Sequence, residues 1–262
     1  MKLSRQASFI VFGQRAKREC RSGIADLPEQ DVYYTYWGIT DALVANILAS
    51  KRSAKAIPRY HRFDLYEESR GHIPFKKVLV ASKSEGVYLI DHAKSYALAR
   101  FGQHKASVLP LGINRSQIGK VSRDFASKPK GIFVSDHSLS VVSVSGLSPV
   151  EIVELIPEFL SHLSRATGKQ AFWHHFGGSS VEAETSRATA ASYLYESQFK
   201  ILSFVPNSEI LEILHIKSGA VFLNVSSSEG VPVSILKVMA LGLVVVAIDV
   251  GGSSPIVVEP QT

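Results

Sequence analysis

Residues 221–257 read VFLNVSSSEGVPVSILKVMALGLVVVAIDVGGSSPIV. Two runs in and beside this stretch, AVFLNVS (220–226) and LVVVAID (243–249), are rich in Val, Leu and Phe, as strands buried on both faces are. The segment between them, PVSILKVMAL (232–241), reads as a helix, and Gly242 stands where a C-terminal cap is expected. A strand, a helix and a second strand predict two parallel strands joined by a right-handed crossover.

The same alternation extends back to residue 139. We therefore predict an α/β, Rossmann-like domain with a parallel five-stranded sheet over residues 139–262. Pro149 is predicted to open the first helix of this domain, and Pro157 to kink it. The other predicted strands are SVVSVSG (140–146), QAFWHHFG (170–177) and KILSFV (200–205), and the other helices cover 149–165, 181–197 and 208–216.

The first half of the chain is less regular. We predict strands at VYYTYW (32–37), KVLVAS (77–82) and ASVLPLG (106–112), and helices at 38–50 and 85–101. A polar segment with Pro and Gly, SRDFASKPKG (122–131), indicates a linker. The predicted organisation is a partial N-terminal domain at 1–121, a linker at 122–138 and the Rossmann-like domain at 139–262.

Composition and charge restrict the class of protein. The chain has 262 residues, of which 45% are hydrophobic and 20% charged, and a single cysteine, Cys20, excludes an internal disulfide. No stretch has the length of a signal-peptide core or a membrane-spanning helix, so we expect a soluble, cytoplasmic protein. Residues 1–130 carry 23 Lys and Arg against 11 Asp and Glu, whereas residues 131–262 carry 6 against 12. The basic half suits nucleic acid, an anionic membrane face or a phosphorylated substrate, or is simply a solvated surface.

Three glycine-bearing turns follow predicted strands: Gly177-Gly178, Glu229-Gly230 and Gly251-Gly252. The carboxyl ends of parallel strands meet at one edge of a sheet, where ligands bind. Glycine allows close backbone approach, and helix N-termini there offer free amides, so the three turns together predict an anion-binding edge. His174 and His175 point to opposite faces of a strand and cannot easily share a metal, so we predict no metal site.

The aromatic cluster Tyr33, Tyr34, Tyr36 and Trp37 allows two interpretations. One is a surface on which carbohydrate or nucleic-acid bases stack. The other, which we prefer, is a strand with buried aromatic side chains.

The stretch 221–257 resembles the C-terminal signature of family-4 glycosyltransferases, approximately FxNxSxxEGxPxSxxEAMxxGxPVIAxxVGGxxEIV. The segments SVVSVSGLSPVEIVELI, FWHHFGGS and ILSFVPNSEILEIL resemble earlier parts of the same domain. YTYWG and RYHRFDLY are similar to segments of bacterial polysaccharide-assembly members, and LPLGI fits the last strand before the linker. The resemblance covers residues 31–258 and implies a GT-B fold, in which two Rossmann domains face a cleft.

The resemblance also implies an activity and a set of residues. Members transfer a sugar from a nucleotide-sugar donor with retention of configuration, without a metal or cofactor. His61 and Glu229 are the implied catalytic residues: Glu229 holds hydroxyls of the donor sugar, and His61, supported by Arg59 and Asp64, lies near the transferred sugar. The diphosphate would lie beside Gly251 and Gly252. The rest of the implied donor site comprises Gly177, Gly178, Ser228, Gly230, Val231, Pro232 and Lys237.

Three positions depart from the family pattern. Lys237 stands where a ribose-holding glutamate is usual, Glu151-Ile152 aligns with a Lys-Arg pair that neutralises the diphosphate, and Pro255 replaces a glutamate. Lys237 and Glu151 either attract each other directly or lie apart. The chain also looks short at both ends for two full Rossmann domains.

Three functions remain open. The first is a transferase of capsule or exopolysaccharide assembly with a lipid-linked acceptor, its basic half toward an anionic inner membrane face. The second is an inactive relative that binds weakly or serves as a partner subunit, which the departures favour. Nucleic-acid binding has charge alone behind it and is not expected.

Overall fold

The computed structural model describes residues 13–16, 18, 30–66, 84–102, 105–116, 118–119, 138–216 and 220–258. The chain divides into two compact units, Met1–Leu111 and Gly112–Thr262. Each unit contains one parallel sheet with helical crossovers, so the predicted α/β class is confirmed. The predicted linker lies outside the described residues except for its last residue, and its limits stay a prediction. Within the described ranges, every helix is too short or too polar to cross a membrane.

The first unit contains a four-stranded sheet of order β1-β2-β3-β4, with every neighbouring pair parallel. Its core lies where Tyr60, Leu65 and Tyr88 pack against the helix after β3. The strands are β1 (Val32–Thr35), β2 (Lys55–Tyr60), β3 (Gly86–Tyr88) and β4 (Ala106–Val108), and the helices are α1 (Thr40–Lys51), α2 (Arg62–Leu65, a single turn) and α3 (Asp91–Phe101).

Two elements of the first unit differ from the prediction. β2 was not predicted, because Pro58 within it lacks a backbone donor. Pro58 is accommodated because it pairs with Thr35 at the end of β1, while the pairing of β2 with β3 begins one residue later, at Arg59. The helix predicted from residue 85 is wrong in its first part, since Gly86–Tyr88 is strand β3 and α3 begins at Asp91. The strand predicted at 77–82 lies outside the described residues.

The aromatic side chains at β1 are mostly not buried. Tyr33 packs against α1. Tyr34, Tyr36 and Trp37 are 51%, 48% and 38% exposed, so the preferred interpretation of buried aromatics is wrong for these three. Tyr34 is exposed because it lies on an edge strand whose alternate side chains point away from α1, whereas Tyr36 and Trp37 lie in the bend that follows β1.

The second unit contains the predicted five-stranded parallel sheet, in the order β7-β6-β5-β8-β9. Apolar clusters cover it on both faces: Val141, Trp173 and Ile201 belong to one cluster, and Val142 and Phe222 to the other. The strands are β5 (Ser138–Val144), β6 (Gln170–Phe176), β7 (Phe199–Leu202), β8 (Val221–Asn224) and β9 (Val244–Ala247), and the helices are α4 (Leu155–Thr167), α5 (Ser180–Ala191), α6 (Asn207–Ile216) and α7 (Val233–Ala240).

The start of α4 corrects the prediction for residues 149–165. The helix begins at Leu155, and residues 149–154 form turns rather than the helix that Pro149 was expected to open. Pro157 is the third helical residue and is buried. The amides of a first turn have no intrahelical partner, so the missing N–H of Pro157 costs no helical hydrogen bond there.

Candidate functional site

The candidate site lies at the carboxyl edge of the second sheet, where the loops after β5, β6, β8 and β9 begin. All five strands are parallel, so these loops lie at one edge, as the three glycine turns predicted. Gly177 follows β6, Glu229 follows β8 and Gly251 follows β9. This edge, defined by residues 145–154, 177–179, 225–232 and 248–255, is called the carboxyl edge below.

Two of the glycine turns are in direct contact. The N–H of Gly252 donates to the carbonyl of Glu229, with nitrogen and oxygen 3.3 Å apart. A Cβ atom at Gly252 would overlap the carbonyl oxygen of Gly230, and one at Gly251, where φ is +51°, would overlap that of Glu229. Glycine is therefore required at both positions, and the backbones of the two loops lie side by side.

Ser253, which is not among the predicted site residues, holds the second of these loops. Its hydroxyl is buried, accepts a hydrogen bond from the N–H of Val250 at 3.0 Å and lies 2.7 Å from the carbonyl oxygen of Ile248. The position of Ser253 directly after Gly251-Gly252 could have indicated this role, since serine side chains favour hydrogen bonds to the neighbouring backbone.

Glu229 and the residues after it lead into α7. Its Oε1 accepts a hydrogen bond from Nδ2 of Asn224 at 3.2 Å, and its side chain is half-buried. Pro232 is the N-cap of α7, and proline has no side-chain group that could satisfy the first-turn amides. These amides and the helix dipole therefore favour an anion at this end of α7. Ser228, Gly230 and Val231 form the connection between Glu229 and the cap.

The turn after β6 is arranged differently. Gly177 and Gly178 have φ of +134° and +78°, and a Cβ atom at Gly177 would overlap the carbonyl oxygen of Ser145. The N-terminus of α5 is closed by a capping box, in which Ser179 Oγ accepts from the N–H of Glu182 and the carboxylate accepts from the N–H of Ser179. The hydrogen bonds that the Glu182 carboxylate accepts from the backbone N–H and the hydroxyl of Ser179 lower its pKa. The first turn of α5 already faces a carboxylate, so it attracts an anion less than α7 does.

The loop after β5 carries an acidic side chain to the carboxyl edge. Ser226 Oγ donates to Oε2 of Glu151 at 2.7 Å, and the N–H of Ser227 donates to the carbonyl of Val150 at 2.7 Å. These bonds join the loops after β5 and β8. Ile152, which follows Glu151 in the loop after β5, has φ of +40°, a left-handed conformation that is unfavourable for a β-branched residue.

Lys237 lies on α7 and contacts α6. Its Nζ donates to Oδ1 of Asn207 at 2.7 Å, and partial burial lowers the pKa of the ammonium group. Glu151 hydrogen-bonds to Ser226 on a different loop, so the direct attraction between Lys237 and Glu151 that the sequence allowed is not observed.

His61 belongs to the first unit, directly after β2. Asp64 accepts hydrogen bonds from the N–H of His61 and from that of Gly38, both at 2.6 Å. Arg59 donates to the carbonyls of Leu109 and Pro110. Burial, followed by the nearby Arg59 guanidinium, lowers the pKa of His61 to about 4, so its imidazole is neutral at physiological pH. Asp64 thus fixes the backbone at His61, whereas Arg59 holds the segment that follows β4.

The next question is whether the described residues hold a metal-binding cluster or place His174 and His175 together. Across the ranges that the structure covers, no three His, Cys, Asp or Glu side chains are grouped so as to hold a metal ion. His175 is fully buried with Nδ1 2.8 Å from Ser143 Oγ, whereas His174 lies on the other side of β6, as alternation along a strand predicts.

Solved structures share the fold of this chain. HepE from Anabaena in complex with UDP and glucose matches with a TM-score of 0.64 and 14% identity, covering 95% of this chain and 65% of HepE. The E. coli trehalose-6-phosphate structure bound with UDP-2-fluoro glucose matches with a TM-score of 0.73 and 13% identity, covering 97% and 66%. An α,α-trehalose-phosphate synthase (UDP-forming) from Burkholderia vietnamiensis matches with a TM-score of 0.71 and 13% identity, covering 96% and 67%. The chain thus spans just under two thirds of HepE and of the E. coli structure.

At this level of identity the likeness establishes the fold, which is that of the GT-B class, with two Rossmann-like units. No curated protein sequence matches the chain significantly. Residues 126–262 match the family described as glycosyl transferases group 1, and this match covers more than half of the chain. It includes the whole carboxyl edge with Glu229, Gly251 and Gly252. The chain belongs to the glycosyl transferases group 1.

Proposed function

We propose that the chain is a retaining glycosyltransferase and that its carboxyl edge binds the diphosphate of a nucleotide-sugar donor. The observation that carries the proposal is the close packing of Gly251 and Gly252 against the loop of Glu229 and Gly230, beside the proline-capped N-terminus of α7. The first-turn amides of α7 offer hydrogen-bond donors and positive potential without a metal, and the glycines allow the two loops to lie close together beside them.

We assign binding of the donor sugar to Glu229, and uracil is the nucleotide base to be tested first. Glu229 Oε1 is held by Asn224, which fixes a carboxylate that can accept hydrogen bonds from sugar hydroxyls. The HepE structures contain UDP, UDP with glucose, and UDP-glucose, which supports a uridine nucleotide as the first candidate donor.

We assign the acceptor to the class of polysaccharides or lipid-linked saccharides. The support is the resemblance of RYHRFDLY to polysaccharide-assembly enzymes, together with the excess of Lys and Arg in residues 1–130. A basic surface attracts an anionic membrane in which a lipid-linked acceptor would lie. The proposed location of the protein is therefore the cytoplasmic face of the membrane.

A second candidate function is an inactive relative that binds a donor weakly or serves as a partner subunit. The specific observation in its favour is the charge of the site. The Glu151 carboxylate is fixed on Ser226 at the same edge as Glu229, and Lys237 is bonded to Asn207 instead of offering a carboxylate. A carboxylate near a bound diphosphate repels it, and partial burial reduces the screening by salt.

Turnover of UDP-glucose by the full chain separates the two candidates. The assay follows release of UDP, with and without a lipid-linked saccharide acceptor. The active candidate predicts release that falls at least about 100-fold in Glu229→Gln, a loss typical of removing an electrostatic contact in a transition state. Glu196→Gln, an exposed glutamate next to β7, is the matched control and keeps the parent rate. UDP binding without any release would identify the inactive candidate instead.

A further inference from the structure

Strand β9 forms one edge of the second sheet and presents an apolar surface. Alternate side chains along it and just beyond it, those of Val244, Val246 and Ile248, are 65%, 48% and 37% exposed, and we call them the open face. Val245 and Ala247 point to the other face of the sheet, where they pack against its apolar cluster. Single exposed apolar side chains need no explanation, but a row of β-branched ones along an edge strand marks an interaction surface.

The backbone of β9 also offers hydrogen-bonding groups at this edge. Across the described ranges β9 pairs with β8 and with no other strand, in continuous parallel register from Val244 to Ala247. The N–H of Ile248 donates to the carbonyl of Asn224 at 3.0 Å. Because backbone direction alternates along a strand, the N–H and C=O groups of Val245 and Ala247 point away from β8. A groove of about 380 Å³ along this part of β9 leaves room beside them.

The sequence of β9 carries none of the features that usually keep an edge strand from pairing. Natural edge strands are protected by lysine, proline or a β-bulge. Neither a charged residue nor a proline lies between Lys237 and Asp249, and the continuous pairing with β8 contains no bulge. The opposite edge strand of the same sheet, β7, carries an exposed Lys200. The edge at β9 is therefore the one at which this sheet can be extended.

We propose that β9 pairs with β9 of a second copy of this chain, antiparallel, about a two-fold axis at Val246. In this register Val245 lies opposite Ala247 of the second copy, and their outward N–H and C=O groups exchange hydrogen bonds. Val246 lies opposite Val246, and Val244 lies opposite Ile248. Residues opposite each other in a sheet point to the same face, so the two open faces join into one apolar surface.

The edge of β9 is complementary to itself, which favours a second copy over a different protein. A two-fold contact places the same surface on both sides, so a charge near the axis would meet its own copy. The uncharged β9 avoids this repulsion. A two-fold axis at Val246 also gives every side chain of the open face a counterpart. Moving the axis by one residue would leave Val244 or Ile248 without one. The contact does not depend on the proposed transferase activity.

The first part of the test is the oligomeric state of the full chain, measured by sedimentation equilibrium. We expect the parent to reach a mass twice that of one chain as its concentration rises. Val246→Lys places two cations opposite each other and should weaken self-association about tenfold or more. Val181→Lys, at a valine that is 75% exposed on α5, is the matched control and should keep the parent dissociation constant.

The second part of the test is the register, measured by disulfide cross-linking. All cysteine variants carry Cys20→Ser, because Cys20 is the single natural cysteine. Opposite residues of a pair without mutual hydrogen bonds have Cα atoms about 4.5 Å apart, within the range of a disulfide. With a mild oxidant, Val246→Cys should form a covalent dimer by itself. Val244→Cys and Ile248→Cys should not do so separately, but a mixture of the two should.

The outcomes that contradict the dimer are equally defined. A parent that stays monomeric, or equal self-association by Val246→Lys and the parent, would overturn the proposal. Cross-linking of Val181→Cys as readily as of Val246→Cys would show random collision, with the same consequence. Cross-linking of Val244→Cys with itself in place of Val246→Cys would contradict the axis at Val246. None of these measurements requires a bound nucleotide, so failure of the donor site would leave them unaffected.

Discussion

Ser226 Oγ donates a hydrogen bond to Oε2 of Glu151 over 2.7 Å, which fixes a carboxylate at the carboxyl edge of the second sheet. A neighbouring hydrogen bond from the N–H of Ser227 to the carbonyl of Val150 also joins the two loops, so the position of Glu151 is held by backbone as well as side-chain contacts. The carboxyl edge therefore combines glycine turns that suit a diphosphate with an acidic group that opposes one. This conflict is the main physical reason to expect weak donor binding.

Exchanging the two unusual charges should strengthen donor binding. Glu151→Lys removes the repulsion of a diphosphate, and Lys237→Glu supplies a carboxylate for the ribose hydroxyls. We expect the double variant to bind UDP about tenfold more tightly, which corresponds to one charge-assisted hydrogen bond. Calorimetric titration of UDP measures the change.

The control for this exchange has the same charge changes at exposed positions near the amino end of β7, Glu196→Lys with Lys200→Glu.

In the parent, Lys237 and Glu151 bond to different partners. The effects of the two single substitutions on the free energy of unfolding should therefore add to within about 0.5 kcal/mol. A double variant no tighter than the parent would show that these positions do not limit donor binding.

At position 152 a glycine variant should be more stable than an alanine variant, which is the reverse of the usual order of stability. Both Ile152→Gly and Ile152→Ala remove the side chain, and they differ only in Cβ. At φ of +40° the Cβ is unfavourable, so we expect the glycine variant to be more stable by about 1 kcal/mol. Urea unfolding measures the difference. At Ala188, exposed on helix α5, the change to glycine should instead destabilise by a similar amount. An alanine variant at 152 that equals or exceeds glycine would show that the backbone there is not left-handed.

Gly252→Ala should disrupt the packing of the loops after β8 and β9. The added methyl would overlap the carbonyl oxygen of Gly230, which belongs to backbone and cannot rotate away. We expect a loss of about 3 kcal/mol in the free energy of unfolding. Gly146→Ala, at the same edge but with open space around its Cβ position, should be nearly neutral. Equal stabilities of the two variants in urea would contradict the close approach.

His175 should make the fold sensitive to mild acid. Burial lowers its pKa from 6.5 to about 4, so between these values the unfolded chain binds a proton that the folded chain does not. The free energy of unfolding therefore falls as pH falls, by about 1.4 kcal/mol per pH unit for this group. Below about pH 4 its contribution no longer changes.

The variant His175→Gln removes the titrating group, so its stability should depend less on pH between 6 and 5, where most carboxylates remain ionised. Urea unfolding at both pH values measures the slope. His162→Gln, an exposed histidine of α4, is the control and should retain the parent slope. An unchanged slope in His175→Gln would show that His175 is not buried in the neutral form.

Much of the second unit follows from its sequence. Alternating apolar runs and helices gave the five parallel strands, and the glycine pairs gave the shared edge. The start of α4 was missed because Pro149 is compatible with a helix start and nothing local distinguishes it from Leu155. The left-handed Ile152 could not be predicted, since the fold imposes this conformation against the preference of the residue.

The first unit was harder to predict. Pro58 concealed β2, and the three-residue strand β3 leads into α3 with only Leu89 and Ile90 between them. The exposure of Tyr34 depends on the edge position of β1, which is a property of the sheet and not of the local sequence.

The most direct test of the account is calorimetric titration of UDP, GDP and ADP into the full chain and into Ser234→Asp. Ser234 is the second residue of α7, where an added carboxylate suits the helix dipole but repels a diphosphate. Ser197→Asp, at the amino end of β7, is the matched control. We predict saturable binding of at least one of the three nucleotides, weakened about tenfold or more in Ser234→Asp by charge repulsion and unchanged in Ser197→Asp. No binding of any of the three, or equal binding by Ser234→Asp and the parent, would contradict a donor site at the carboxyl edge.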